Sequence, residues 1–117
     1  MAQLSTHVLD TARGIAAAGV LVEVRLVGAR QQEPLASATT NAQGRTDAPL
    51  MSRDRLDRGD YELTFHVGDY FRRQGVTLSD PPFLDRVIIR IGVADPAGHY
   101  HIPLLVSPYG YTTYRGT

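Results

Sequence analysis

The sequence predicts an all-β protein, a sandwich of roughly seven or eight short strands. Three observations lead there. Apolar and polar residues alternate with a period of two in several stretches. Turn signals built from Gly, Pro, Asn and Asp separate those stretches at short intervals. Helical periodicity is almost absent, apart from one short segment near the middle of the chain.

Taken in order, Thr6 to Leu9 reads as a short strand, ended by the turn Asp10 to Gly14. Val20 to Val27 is the clearest strand. Val20, Val22, Val24 and Leu26 fall on one face, and Glu23 and Arg25 on the other. Pro34 to Thr40 reads as a short edge strand. Asn41 to Arg45 then forms a turn, with Gly44 where a positive φ is expected. Tyr61 to Val67 alternates again, with Tyr61, Leu63, Phe65 and Val67 inward. Asp69 to Gln74 suits one or two helical turns, Asp69 acting as N-cap and Gly75 standing just past the end. In Leu84 to Val93, Val87, Ile89 and Ile91 share a face opposite Arg86 and Arg90. His99 to Val106 and Tyr109 to Arg115 complete the set, joined by a turn at Ser107-Pro108. No repeat, low-complexity tract or convincing linker interrupts residues 1–117, which are read as a single domain.

Composition narrows the function classes. Twelve basic residues balance 12 acidic ones, so nothing draws the chain towards nucleic acid or anionic lipid. Every basic residue is Arg, which excludes Schiff-base chemistry on a lysine. The absence of Cys excludes disulfides, thiol catalysis and thiolate metal sites. No basic region followed by an apolar run opens the chain, and no stretch is long and apolar enough to be a membrane helix. A soluble, cytoplasmic protein is the expectation.

Candidate chemistry gathers at the C-terminal end. His99 and His101 share one face of their strand with Pro103 and Leu105. Tyr100, Ile102, Leu104 and Val106 form the better core face, so both imidazoles are expected on the outer surface. Leu105 beside them, and the Tyr- and Thr-rich strand that follows, suggest a surface covered by another subunit. His7 lies in the short N-terminal strand, while His66 sits with Glu62 and Thr64 on a polar face and is read as surface. Arg45 follows the Gly44 turn. It is either a solvated charge or a fork of donors for a planar, oxygen-rich ligand, and Arg115 either plays the same ligand-binding part or pairs with a carboxylate. Tyr114 shares a face with Thr112 and Gly110 and suits interface packing.

Two constellations are open. His7 with His99 and His101 is a candidate zinc set, since residues two apart on a strand lie about 6.6 Å apart along it. No Asp or Glu stands close in sequence to complete that set. Alternatively, a neutral imidazole acts as general base on water while Arg stabilises charge developing on substrate oxygens. No nucleophile elbow, phosphate-cradling loop or dinucleotide fingerprint is present. Spacing alone does not choose between them.

Three segments bear a family likeness. They are Leu4-Ser5-Thr6-His7-Val8-Leu9-Asp10 with Ala17-Ala18-Gly19-Val20, Thr40-Asn41-Ala42-Gln43-Gly44-Arg45, and His99-Tyr100-His101-Ile102-Pro103-Leu104-Leu105 with Ser107-Pro108-Tyr109-Gly110-Tyr111. Together with the terminal Tyr114-Arg115-Gly116-Thr117, the chain resembles the transthyretin-like 5-hydroxyisourate hydrolases along essentially its whole length. The terminal tetrapeptide is the family's signature and separates the hydrolases from transthyretin, the hormone carrier of the same fold.

The resemblance implies a transthyretin (prealbumin)-like eight-stranded β-sandwich with one short helix. It implies a homotetramer in which the outer faces of the N-terminal strand and the last two strands line a channel, with the site where dimers meet. The implied reaction opens the ring of 5-hydroxyisourate by hydrolysis of a cyclic amide, in urate breakdown. The product is 2-oxo-4-hydroxy-4-carboxy-5-ureidoimidazoline, and no cofactor or metal is involved. Carried over by position, His7 and His101 flank the attacking water, with the choice of general base left open. Arg45 binds substrate oxygens, Tyr114 contacts substrate, and His99 stands at the rim. Thr117 replaces the family's usual terminal Ser but keeps a hydroxyl and a carboxylate. The competing readings are a small-molecule carrier without catalysis, a purely structural sandwich, and a zinc hydrolase.

Overall fold

The computed structural model describes residues 1–30 and 33–117. Nine strand segments and one helix follow in the order β1 (Ala2–Asp10), β2 (Ile15–Ala16), β3 (Leu21–Leu26), β4 (Ala36–Thr39), β5 (Met51–Arg53), β6 (Gly59–Phe65), α1 (Val67–Arg73), β7 (Val87–Val93), β8 (His99–Ser107) and β9 (Gly110–Thr113). One sheet runs β2-β1-β8-β9, with β5 also paired to β1, and the other runs β4-β3-β6-β7. This is the expected two-sheet sandwich with a single short helix. The segment count exceeds eight because brief pieces such as the two-residue β2 are included. Among the described residues no helix is long and apolar enough to cross a membrane.

Alternation decides which side chains meet between the sheets. Leu4 and Val8 from β1 and Ile102, Leu104 and Val106 from β8 face Val22 and Val24 from β3 and Leu63 and Phe65 from β6, all of them buried. Each such side chain removed from water contributes about 1.5–3 kcal/mol before conformational entropy is counted. β1 is longer than expected, starting at Ala2 rather than Thr6. Its buried residues, Ala2, Leu4, Thr6, Val8 and Asp10, include a threonine and an aspartate, which blur the apolar pattern. Thr6 is satisfied inside by donating from Oγ1 to the Ile102 carbonyl at 2.6 Å.

The helix also departs from expectation. It starts at Val67, with His66 at the N-cap position, and Asp69 lies in the first turn rather than capping it. Asp69 instead pairs with Arg72 at 3.1 Å. Val67, Tyr70 and Phe71 turn into the core, which anchors so short a helix. Gly75 follows the C-cap Gln74 with φ of 80°, as a helix terminator should. His66, read as surface, is mostly covered: its Nε2 donates to Glu23 Oε1 at 2.7 Å, tying the start of α1 to β3.

The arrangement of β1 matters most for function. It runs parallel to β8 in the middle of its sheet, with Ser5 opposite His101 and His7 opposite Pro103. On the other side of β8, β9 is antiparallel, with Leu104 opposite Thr113. The pairing resumes beyond β9 at an isolated bridge between His101 and Gly116. The first strand and the last segment of the chain thus flank the same histidine.

Candidate functional site

Gln3, Ser5 and His7 alternate with the buried residues of β1 and lie on its outer face, half-buried. His99 and His101 occupy the corresponding face of β8. The parallel register brings the two sets side by side. Arg45 joins from a third direction, through an isolated antiparallel bridge to His7.

That bridge depends on the turn before it. Asn41 Oδ1 accepts from the N–H groups of Gln43 and Arg45, at 2.9 and 3.3 Å. Gly44 adopts φ of 74° and donates its N–H to the Asn41 carbonyl at 2.9 Å. Its own carbonyl accepts from Val8 N–H at 2.8 Å, and a Cβ at this position would collide with the Val8 carbonyl. Glycine is therefore required twice over, by conformation and by the approach of β1. The result holds Arg45 beside His7.

Each imidazole has a defined partner. His7 Nε2 donates to the Gln43 carbonyl at 2.9 Å. A carbonyl only accepts, so the neutral ring carries its proton on Nε2 and its Nδ1 lone pair has no partner among the described residues. His101 Nδ1 bonds Ser5 Oγ at 2.8 Å, and among the described residues Nε2 has no hydrogen-bond partner. Burial first, then the charges of Arg45 and His7, hold the His101 imidazole below its ordinary pKa of 6.5. His101 is thus kept neutral at and somewhat below neutral pH.

Gln3, Ser5, Arg45, His99, Tyr100, His101 and Thr117 line one depression of about 260 Å³. A small molecule fits such a volume. A neutral imidazole, a guanidinium and hydroxyls surround it. That combination can activate water and stabilise an oxyanion without a covalent intermediate.

His99 donates from Nε2 to the Met1 carbonyl at 2.7 Å and is exposed at the rim. Among the described residues of one chain no group of three or more His, Asp or Glu converges as metal ligands would, which gives the suggested zinc set of His7, His99 and His101 no support. Arg115 is exposed and, among the described residues, makes its contacts elsewhere than on a carboxylate. Its guanidinium lies 4.3 Å from the centre of the Tyr100 ring and donates to the His99 carbonyl at 3.1 Å. Tyr114 is not brought into the depression of its own chain. It lines a neighbouring hollow of about 340 Å³ with Ile89, Ile91, Tyr100 and Arg115, between the edges of the two sheets. Sequence reasoning missed Ser5 and the Gln43 carbonyl. The only available signal was that Ser5 shares the parity of His7.

Known proteins carry the same framework. The 5-hydroxyisourate hydrolase of Deinococcus radiodurans is 55% identical over 114 residues, 97% of this chain and 95% of that protein. The structure of 5-hydroxyisourate hydrolase from Klebsiella pneumoniae superposes with a TM-score of 0.82 at 38% identity, covering 100% of both chains. Sea bream transthyretin in complex with thyroxine superposes with a TM-score of 0.83 at 29% identity, covering 98% of this chain and 95% of that one. The model of the HIUase/Transthyretin family matches residues 4–116. On that match, and on full-length relatives of this similarity, the chain belongs to the HIUase/Transthyretin family.

Proposed function

We propose that residues 1–117 form one hydrolase domain that opens the ring of 5-hydroxyisourate by attack of water on a cyclic amide. The product is 2-oxo-4-hydroxy-4-carboxy-5-ureidoimidazoline. The observation that carries this reading is the convergence of His7, His101 and Arg45 on one outer face, with His101 held neutral. The named hydrolase relatives support the substrate.

His101 acts as the general base. Its Nδ1–H donates to Ser5, and Nε2 takes a proton from the water as oxygen attacks the amide carbon. The open Nδ1 of His7 accepts the second water proton as a hydrogen bond and orients the lone pair. Arg45 pairs with the oxyanion of the tetrahedral intermediate. When that intermediate collapses, the C–N bond breaks and the proton on His101 passes to the departing nitrogen, restoring the base. The Thr117 hydroxyl binds the polar edge of the substrate, and Tyr114 closes the site from the assembled side. No cofactor is required.

The functional unit is a homotetramer with the depression where dimers meet. Exposed Tyr109, Tyr111 and Tyr114 near the end of the chain suit such a contact. Ultraviolet absorbance of 5-hydroxyisourate, generated in situ from urate by urate oxidase, tests the reaction. Accelerated decay with the wild-type protein, and decay at the spontaneous rate with His101→Ala, is the expected result. Decay no faster than the blank, from a folded tetramer, would replace the hydrolase by a small-molecule carrier.

A further inference from the structure

Gly116 has no conformational reason to be glycine. Its φ lies outside the left-handed region, unlike that of Gly44 or Gly75. What it has is a close neighbour. A Cβ built on Gly116 would stand 2.5 Å from His101 Cδ2, 3.3 Å from Cγ and 3.4 Å from Pro103 Cγ. Real Cβ atoms do not approach to the first of these distances, so any side chain here would drive the ring aside. The backbone fixes the approach, because Gly116 N–H donates to the His101 carbonyl at 2.8 Å across the isolated bridge.

Two further contacts keep the segment down. Arg115 stacks on Tyr100 and donates to the His99 carbonyl, so the residue before Gly116 is tied to the two residues that precede His101. From the opposite strand, Ser5 Oγ holds Nδ1. The ring is therefore gripped between β1 and the C-terminal segment.

We propose that Gly116 is a positioning residue, the seat on which the His101 imidazole lies, and that Arg115 is the clasp holding that seat in place. The proposal rests on the reading of His101 as general base and gives part of the terminal tetrapeptide a mechanical role. Thr117 borders the depression and Tyr114 the neighbouring hollow, while Arg115 and Gly116 serve the histidine. The charged and titratable groups around His101 are Arg45 and His7 on the β1 side and His99 on its own strand.

The test is Gly116→Ala in the full-length protein, read in two ways. Histidine carbon-labelled NMR, with His101 assigned through His101→Asn, follows the titration of the ring. The 5-hydroxyisourate assay separates kcat from KM. The expected result is a His101 titration moved up towards its ordinary value, with kcat down about a hundredfold and KM within about threefold. A wild-type titration overturns the seat, whatever the activity does. A displaced titration with wild-type kcat leaves the seat standing and overturns His101 as the base. Thermal unfolding of the double variant covers the case in which Gly116→Ala fails to fold. The alanine should destabilise only when the ring is present, so Gly116→Ala should be nearly neutral in a His101→Ala background. Equal destabilisation in both backgrounds overturns the proposal.

Discussion

Replacing Gly44 by Ala should damage stability and activity together, because this one residue carries both the turn and the link to β1. Its φ of 74° costs an L-residue about 1–2 kcal/mol. The new Cβ would collide with the Val8 carbonyl, which itself accepts from Ala17 N–H at 2.9 Å. Relieving the clash moves the turn off β1 and breaks the Val8 N–H to Gly44 carbonyl bond, leaving groups beside a buried strand short of a partner at about 1–3 kcal/mol. The combined loss is about 2–5 kcal/mol. With a urea m-value of about 2 kcal/mol/M, the midpoint should fall by about 1–2.5 M, measured at one fixed protomer concentration because assembly adds its own stability. Arg45 follows the turn, so 5-hydroxyisourate hydrolysis should fall by at least about tenfold under conditions where the variant is still folded. A midpoint within about 0.5 M of wild type, with full activity, would refute the argument that this glycine is demanded by both conformation and contact.

Other residues make separable predictions. Tyr70→Phe removes the buried hydroxyl that donates to Asp10 Oδ2 at 2.8 Å and should cost about 1.5–3 kcal/mol in urea unfolding, with little effect on kcat. The same environment pushes the Tyr70 phenol up to about 12, so absorbance titration should find this tyrosine un-ionised after an ordinary one has titrated. His101 is held below 6.5, so the acid limb of kcat/KM should lie below pH 6.5. Its contribution to stability, from the same shift, is complete above pH 6.5 and is lost as pH falls through the lowered value. Arg45→Met removes one cause of that shift. It should move the acid limb upward while lowering kcat/KM about a hundredfold or more, and an unmoved limb would count against the pairing. Deleting Tyr114 to Thr117 should abolish hydrolysis yet leave a folded sandwich by circular dichroism, because the buried core lies in earlier residues.

Much of the molecule was legible in the sequence because alternation is a local property. Val22, Val24, Leu63, Phe65, Val87 and Ile89 declare their inward face by position alone, and the same parity puts His99 and His101 outside. Gly44 announced its turn, and Gly75 the end of a helix, because a positive φ has few other occupants. The helix start was misplaced, since Tyr70 and Phe71 fix it by packing rather than through a cap. The family likeness singles out His7, His101 and Arg45 among the histidines and arginines. Tertiary structure alone decided how they meet. Ser5 and His101 are 96 residues apart, and nothing within either strand encodes a parallel pairing or its register. The same holds for the bridge that places Arg45 beside His7, and for the approach of Gly116 to the His101 ring. A side chain's face follows from the period of its own strand, but its neighbour depends on which strands the closing sheet brings together.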